Sequence, residues 1–224
     1  MKTKTILILA LSSAITLTSI AQPPPSPQNA EQINGVVSQY LMNPNGEVDG
    51  LLLSDNRQIN FPPHMSADLT RLVKPNDRIT ASGERESAQA FHAFTITNAA
   101  SAQTVVESRP SQFPPRLPPD LRGMNLALLN ASGRIKALLH APHGEIDGVV
   151  LEDGTVLHVR PDASGQFASS LAIGQTVSAQ GFGTQNVFGR SIEVTQLGVA
   201  GQPLTSLYNP AAITTSPAAP PPPR

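Results

Sequence analysis

The chain has no cysteine and no tryptophan among its 224 residues, and only two tyrosines. Without cysteine there is no disulfide, no thiol nucleophile, no thiolate metal ligand and no cysteine to carry a lipid anchor. Outside a reducing compartment such a chain must hold its fold by packing alone. Aromatic residues make up 4% of the sequence, which leaves few platforms on which bases or sugar rings stack. Charge is sparse and balanced, 15 basic against 16 acidic residues, and this argues against the basic face whose counterion release drives nucleic-acid binding. The G-x-S-x-G nucleophile elbow, the phosphate-cradling G-x-x-x-x-G-K-[ST] loop and H-E-x-x-H are all missing, so no enzymatic activity is expected.

The start of the chain sets a compartment. Lys2 and Lys4 precede a mostly apolar run from Ile6 to Leu17, and Ser19-Ile20-Ala21 places small residues where a signal peptidase cuts. Residues 1–21 therefore read as a signal peptide, and the mature product as periplasmic or secreted. Cleavage removes both lysines, leaving thirteen basic against sixteen acidic residues, a formal charge near −3. No later stretch reaches the roughly 18 apolar residues of a membrane span, so no transmembrane segment is expected after the signal is removed.

Proline divides what remains. It is concentrated in Pro23–Pro27, in Arg109–Pro119 and in the final Pro217–Arg224. Proline fixes φ and lacks an N–H donor, so these stretches read as extended spacers. The organisation expected is a Pro-rich leader over 22–32, a first module over 33–99, a Pro-rich linker over 100–127, a second module over 128–198 and a disordered Pro-rich tail over 199–224.

The two modules are copies. Leu41–Pro63 (LMNPNGEVDGLLLSDNRQINFPP) returns as Leu139–Pro161 (LHAPHGEIDGVVLEDGTVLHVRP), 98 positions on and without a gap. From 35 to 83 the copies agree at 13 of 49 positions, and many mismatches keep type, as in Val48/Ile146 and Ile59/Leu157. The same offset pairs Gly35 with Gly133, Gly83 with Gly181 and Thr97 with Thr195. At about 65 to 70 residues each, the units are small enough that packing against one another would help them.

Within a copy the pattern is that of short strands. Val48–Leu53 and Arg57–Phe61 flank Ser54-Asp55-Asn56, matched by Glu152-Asp153-Gly154, and such steps supply the positive φ that a tight hairpin requires. A short helix follows, with Ser66 and Ser164 as expected N-caps, Leu69, Leu72 and Val73 as its apolar stripe, Phe167 and Leu171 as the counterpart, and Asn76 and Gly174 as left-handed terminators. Two more strands complete the unit, Arg78–Ser82 and Phe91–Thr97 in the first copy, Thr176–Gln180 and Arg190–Leu197 in the second. Phe61 and Phe167 fall on apolar faces; for Phe91, Phe94, Phe182 and Phe188 exposure on strand or loop stays open, with core packing the default.

Strand, strand, strand, helix, strand, strand is the order of the oligonucleotide/oligosaccharide-binding (OB) fold. The expected class is all-β with one short helix per module, as two tandem five-stranded OB-like barrels. The phrase GEVDGLLL with FPPH also resembles exported bacterial OB-fold-like proteins of unassigned activity, and this resemblance transfers no catalytic residue.

The repeated polar positions carry the site expectations. Glu47-Val48-Asp49-Gly50 and Glu145-Ile146-Asp147-Gly148 set two carboxylates at i and i+2, which on a strand share a face. Like charges that close repel unless a cation, an arginine or backbone N–H groups lie between them. The second copy adds His140, His143 and His158, so His143, Glu145, Asp147 and His158 form a candidate divalent-metal set of nitrogen and carboxylate donors. The competing reading is structural: turn residues, with Asp-Gly marking a bulge that bends the barrel, so that Glu47, Asp49, Gly50 and Gly148 serve the fold. No organic cofactor is expected. The function expected is that of a non-enzymatic exported binding or structural module whose partner is an envelope protein or component. Single-stranded nucleic-acid binding is the alternative, and divalent-metal binding in the second copy a further one.

Overall fold

The computed structural model describes residues 30–109, 126–160, 171–199 and 201–207. The first module runs β1 (Glu31–Met42), β2 (Val48–Leu53), β3 (Gln58–Asn60), a 3-10 turn (Pro63–Met65), α1 (Ser66–Leu72), β4 (Arg78–Arg85), β5 (Ala90–Asn98) and β6 (Thr104–Val106). The long β1 pairs with β4 through its first half and with β2 through its second. The parallel pairing of β3 with β5 (Ile59 opposite Phe91) then closes the sheet. Around the barrel the order is β1-β2-β3-β5-β4 and back to β1. That is the connectivity expected for an OB barrel.

The second module repeats it with β7 (Ala127–His140), β8 (Ile146–Leu151), β9 (Val156–His158), β10 (Thr176–Asn186) and β11 (Gly189–Val199), closed by β9 against β11. Two edge strands lie beyond the modules as the repeat delimits them: β6, within the expected linker, pairs with β5, and β12 (Thr205–Ser206), within the expected tail, pairs with β11. Leu207, just past β12, is buried in the second core. The signal segment and most of the leader, linker and tail lie outside the described residues, while β1 begins inside the expected leader at Glu31.

Each barrel is filled from its own strands. Leu51, Leu53, Ile59, Phe61, Phe91 and Ile96 meet inside the first, with Leu69 of α1 and Val73 just after it as a plug. Val149, Leu151, Leu157, Val177, Ile192 and Val194 meet inside the second. Asn56 and Gly154 hold the hairpins at φ 66° and 87°, and Asn76 and Gly174 hold the left-handed position before β4 and β10 at 75° and 84°.

Three expectations are corrected. Ser66 does not cap α1: the 3-10 turn delivers the chain so that Ser66 is already helical, Met65 sits at the cap, and Ser66 Oγ instead accepts from the Val48 N–H at 2.8 Å. The hydroxyl ties the helix to β2 rather than to its own first turn. Thr97 and Thr195 are not equivalent, because Ala81 pairs with Ile96 while Ala179 pairs with Leu197. The β10–β11 hairpin is thus three residues longer than its counterpart, and the offset of 98 becomes 101 in the last strand. Finally, Glu47 and Glu145 precede β2 and β8 and sit in turns, so the i, i+2 pairs do not share a strand. The second-copy helix assigned to Ser164 and Phe167 lies outside the described residues.

Candidate functional site

The Asp-Gly step is a bulge in both copies. Leu41 pairs with Gly50 and Met42 with Val48, which leaves Asp49 as the extra residue; likewise Leu139 pairs with Gly148 and His140 with Ile146, leaving Asp147. The carbonyls of Asp49 and Asp147 accept from Phe61 N and Val159 N, each at 2.8 Å. Glycine follows because the backbones close in there: a Cβ on Gly50 would lie 2.6 Å from the Ile59 carbonyl oxygen, and one on Gly148 2.6 Å from that of Leu157. The bulge turns both aspartates outward at the same place on each barrel.

That place is where the barrels meet. The outer faces of β1-β2-β3 and β7-β8-β9 share a small apolar core of Leu41, Leu52, Ala137, Leu139, Val150 and Val156. Leu41 and Leu139, and Leu52 and Val150, are the same positions 98 apart, so the modules are related by an approximate two-fold through this seam. Polar contacts frame it. Lys136 Nζ donates to Ser38 Oγ at 2.9 Å, Gln39 Nε2 to the Gly154 carbonyl at 3.1 Å, His140 N to Gln58 Oε1 at 3.0 Å and His158 Nε2 to the Met42 carbonyl at 2.9 Å. The longer β10–β11 hairpin reaches across the seam. Thr184 Oγ1 and Asn186 Nδ2 donate to the carbonyls of Pro44 and Gly46, and Phe188 packs edge-on to Tyr40 with ring centroids 5.7 Å apart and against the first core.

Cavities lined from both barrels remain along the seam, and two of them gather carboxylates. The first, of about 270 Å³, gathers Asp49, Gln58, Asn60, His140, Asp147 and His158. Burial pushes the Asp49 carboxyl up to about 7, and the carboxylates of Glu47 and Asp147 push the same way; burial likewise carries Asp147 up to about 6, with Glu86 adding to it. In both, the aspartate's own backbone N–H works against the rise. His140 and His158 are displaced downward by burial, His158 partly restored by its bond to Met42. His140 Nδ1 is buried without a partner. The second cavity, of about 430 Å³, lies between Gln39 and Tyr40 on one side and Asp153, Thr155, Phe188 and Arg190 on the other.

Of the candidate metal set, Asp147 and His158 line the first cavity while His143 and Glu145 are exposed on the turn before β8. Among the described residues no three histidine, aspartate or glutamate side chains are grouped to hold a metal ion. Glu47 is engaged locally, accepting from Asn43 Nδ2 at 3.0 Å. Sequence reasoning missed Gln39, Phe188 and Arg190 as seam residues. The signal that locates the last two is the three-residue change of offset between the copies.

No protein family matches the chain, and no curated protein matches it. Among solved structures it is similar to a deletion mutant of the single-stranded DNA binding protein from Thermus aquaticus, at 12% identity over 80% of this chain and 95% of that one, with a TM-score of 0.23. An overlap that loose carries neither ligand nor mechanism to this chain. No helix among the described residues is long and apolar enough to cross a membrane.

Proposed function

We propose that this chain is an exported, non-enzymatic binding module of the cell envelope, in which two OB barrels act as one rigid unit and take their ligand at the seam between them. The observation that carries this reading is what the seam covers. An OB barrel grips oligonucleotides or oligosaccharides on its strand 2–3 face and with the loops joining strands 1–2 and 4–5. Here Leu52 and Val150 on the outer faces of β2 and β8 are buried against the other barrel. The loop after β1 is held by Thr184 and Asn186 of the β10–β11 hairpin. The counterpart loop at Gly144 lies against Ser87, between β4 and β5. The surfaces that would bind a single strand on each barrel are therefore spent on joining the two, and what stays open are cavities of small-molecule size. The basic start with its short apolar run and the small residues at Ser19 and Ala21 supports export.

Two measurements test the reading. Fluorescence anisotropy with a labelled oligothymidylate, at low and at moderate salt, is expected to show no binding; affinity that falls steeply with salt would favour the nucleic-acid alternative. Fractionation of cells expressing the full chain should place a product shortened by about 21 residues outside the cytoplasm, and a full-length cytoplasmic product would contradict export.

A further inference from the structure

The larger seam cavity contains an unpaired couple of opposite charges. Arg190, at the start of β11, is held at one corner, where Nη2 donates to the Asn130 carbonyl, and its Nε is buried with no acceptor. Asp153, in the β8–β9 hairpin, uses Oδ1 to accept from Thr155 N at 2.9 Å. Both line the same cavity of about 430 Å³, yet no ion pair joins them among the described residues, and neither pairs with another charged side chain there. The occluded Nε offers no surface to a ligand, so a ligand in the cavity meets the terminal nitrogens of the guanidinium, which a carboxylate answers best, through two parallel N–H···O bonds. Asp153, from the same barrel as Arg190, is exposed at the cavity, where its carboxylate offers a partner to an ammonium group. The edge-on rings of Tyr40 and Phe188 supply apolar lining to the same cavity, with the Tyr40 hydroxyl donating to the Val73 carbonyl at 2.6 Å.

We propose that this cavity binds a small zwitterion of the α-amino-acid class, its carboxylate on Arg190, its ammonium on Asp153 and its side chain against Tyr40 and Phe188. A polyanion would meet Asp153 and a simple cation would meet Arg190, so one ligand carrying both charges satisfies the wall where either alone does not. The site exists only in the assembled pair, since Gln39 and Tyr40 come from one barrel and Asp153 and Arg190 from the other. It rests on the reading of the seam as a ligand site, and it specifies the chemistry.

The experiment is a thermal-shift and calorimetric screen of the full mature chain against free L-amino acids, followed by the N-acetyl and carboxamide derivatives of whichever binds. At least one amino acid should bind, and both derivatives should bind at least about tenfold more weakly, as expected for losing one charge-assisted contact. R190Q and D153N should each weaken binding by a similar factor, and D153N should leave unliganded melting unchanged, since Asn keeps the Oδ1 acceptor of the hairpin. Should R190Q fold poorly, R190K keeps the charge without the fork and is expected to weaken binding without abolishing it. Absence of binding across the panel, equal binding of the derivatives, or affinity indifferent to R190K and D153N would each overturn the proposal. A chain that is exported and ignores oligothymidylate but fails this screen refutes the zwitterion alone; one that binds oligothymidylate refutes the seam reading itself.

Discussion

Ser38 and Lys136 occupy the same position in the two modules, 98 residues apart, and they touch: Lys136 Nζ donates to Ser38 Oγ at 2.9 Å. A position that meets its own copy lies on the two-fold relating them, which makes the seam an isologous interface of the kind that joins identical subunits. In this chain the two halves of that interface are covalently linked, and the two equivalent residues differ, one being a lysine that bonds the other.

A shared core predicts shared unfolding. Leu52 is completely buried in the seam, and Leu52→Ala should cost about 2–4 kcal/mol. Leu52→Asp should do more than lower stability, because it puts an unpaired charge between the barrels and splits one cooperative transition into two. Differential scanning calorimetry reads both outcomes. A Leu52→Asp protein that still melts in a single transition at the parental temperature would show that the barrels are not coupled.

The bulge glycines are required by a close backbone approach. A methyl group on Gly148 meets the Leu157 carbonyl oxygen at 2.6 Å, closer than real Cβ contacts allow, so Gly148→Ala should destabilise by about 2 kcal/mol or more through backbone displacement. Gly50→Ala should behave alike, while Gly133→Ala, where the nearest neighbour is a leucine side chain at 3.5 Å, should be far milder. Urea denaturation of the three variants separates them.

The fold was legible because the chain states it twice. Strand alternation at Gln58–Asn60, the Asp-Asn and Asp-Gly hairpins and the left-handed Asn76 and Gly174 each point to one local geometry, and the duplicate supports every reading. The seam was not legible. Leu51-Leu52-Leu53 and Val149-Val150-Leu151 are unbroken apolar runs in strands that a free barrel would leave half exposed, and they are buried on both faces, inside the barrel and between the barrels. Ser66 misled because a serine before an apolar stripe suits a cap and a cross-link to a neighbouring strand equally well. The acid step Glu-x-Asp suggested a ligand pair on one strand; the bulge instead took the aspartates of the two copies to a common cavity, a distance in sequence that no local pattern spans.

The paired aspartates give stability a definite pH dependence. Unfolded, each titrates near 3.9; folded, Asp49 reaches about 7 and Asp147 about 6. Between those limits the native state holds more protons than the unfolded chain, so this contribution to stability falls as pH rises from about 4 to about 7 and stays low above it. His140 and His158, displaced downward by burial, act in the opposite sense: the unfolded chain takes up protons first below about 6.5, and stability falls with pH there. Asp49→Asn removes a buried charge that exists only at higher pH. It should stabilise by about 2 kcal/mol at pH 8 and leave pH 4 stability little changed; equal effects at both pH values would remove the aspartate from the account.

The three-residue extension of the second hairpin has a defined task. Phe188 at its tip reaches Tyr40 and the first core, so Phe188→Ala should destabilise the first module although the residue belongs to the second. Hydrogen exchange at Tyr40, Leu41 and the amides of α1 should quicken, while β11 beyond Ile192 keeps its protection. Faster exchange confined to the hairpin tip would contradict that role.

The most direct test uses the absence of native cysteine. Ser38→Cys and Lys136→Cys introduced together, treated at low protein concentration with a short bis-maleimide and read by intact mass, should give one intramolecular bridge per chain. Two separate additions with no bridge would mean that position 38 does not meet its copy at 136, and the two-fold seam would be refuted.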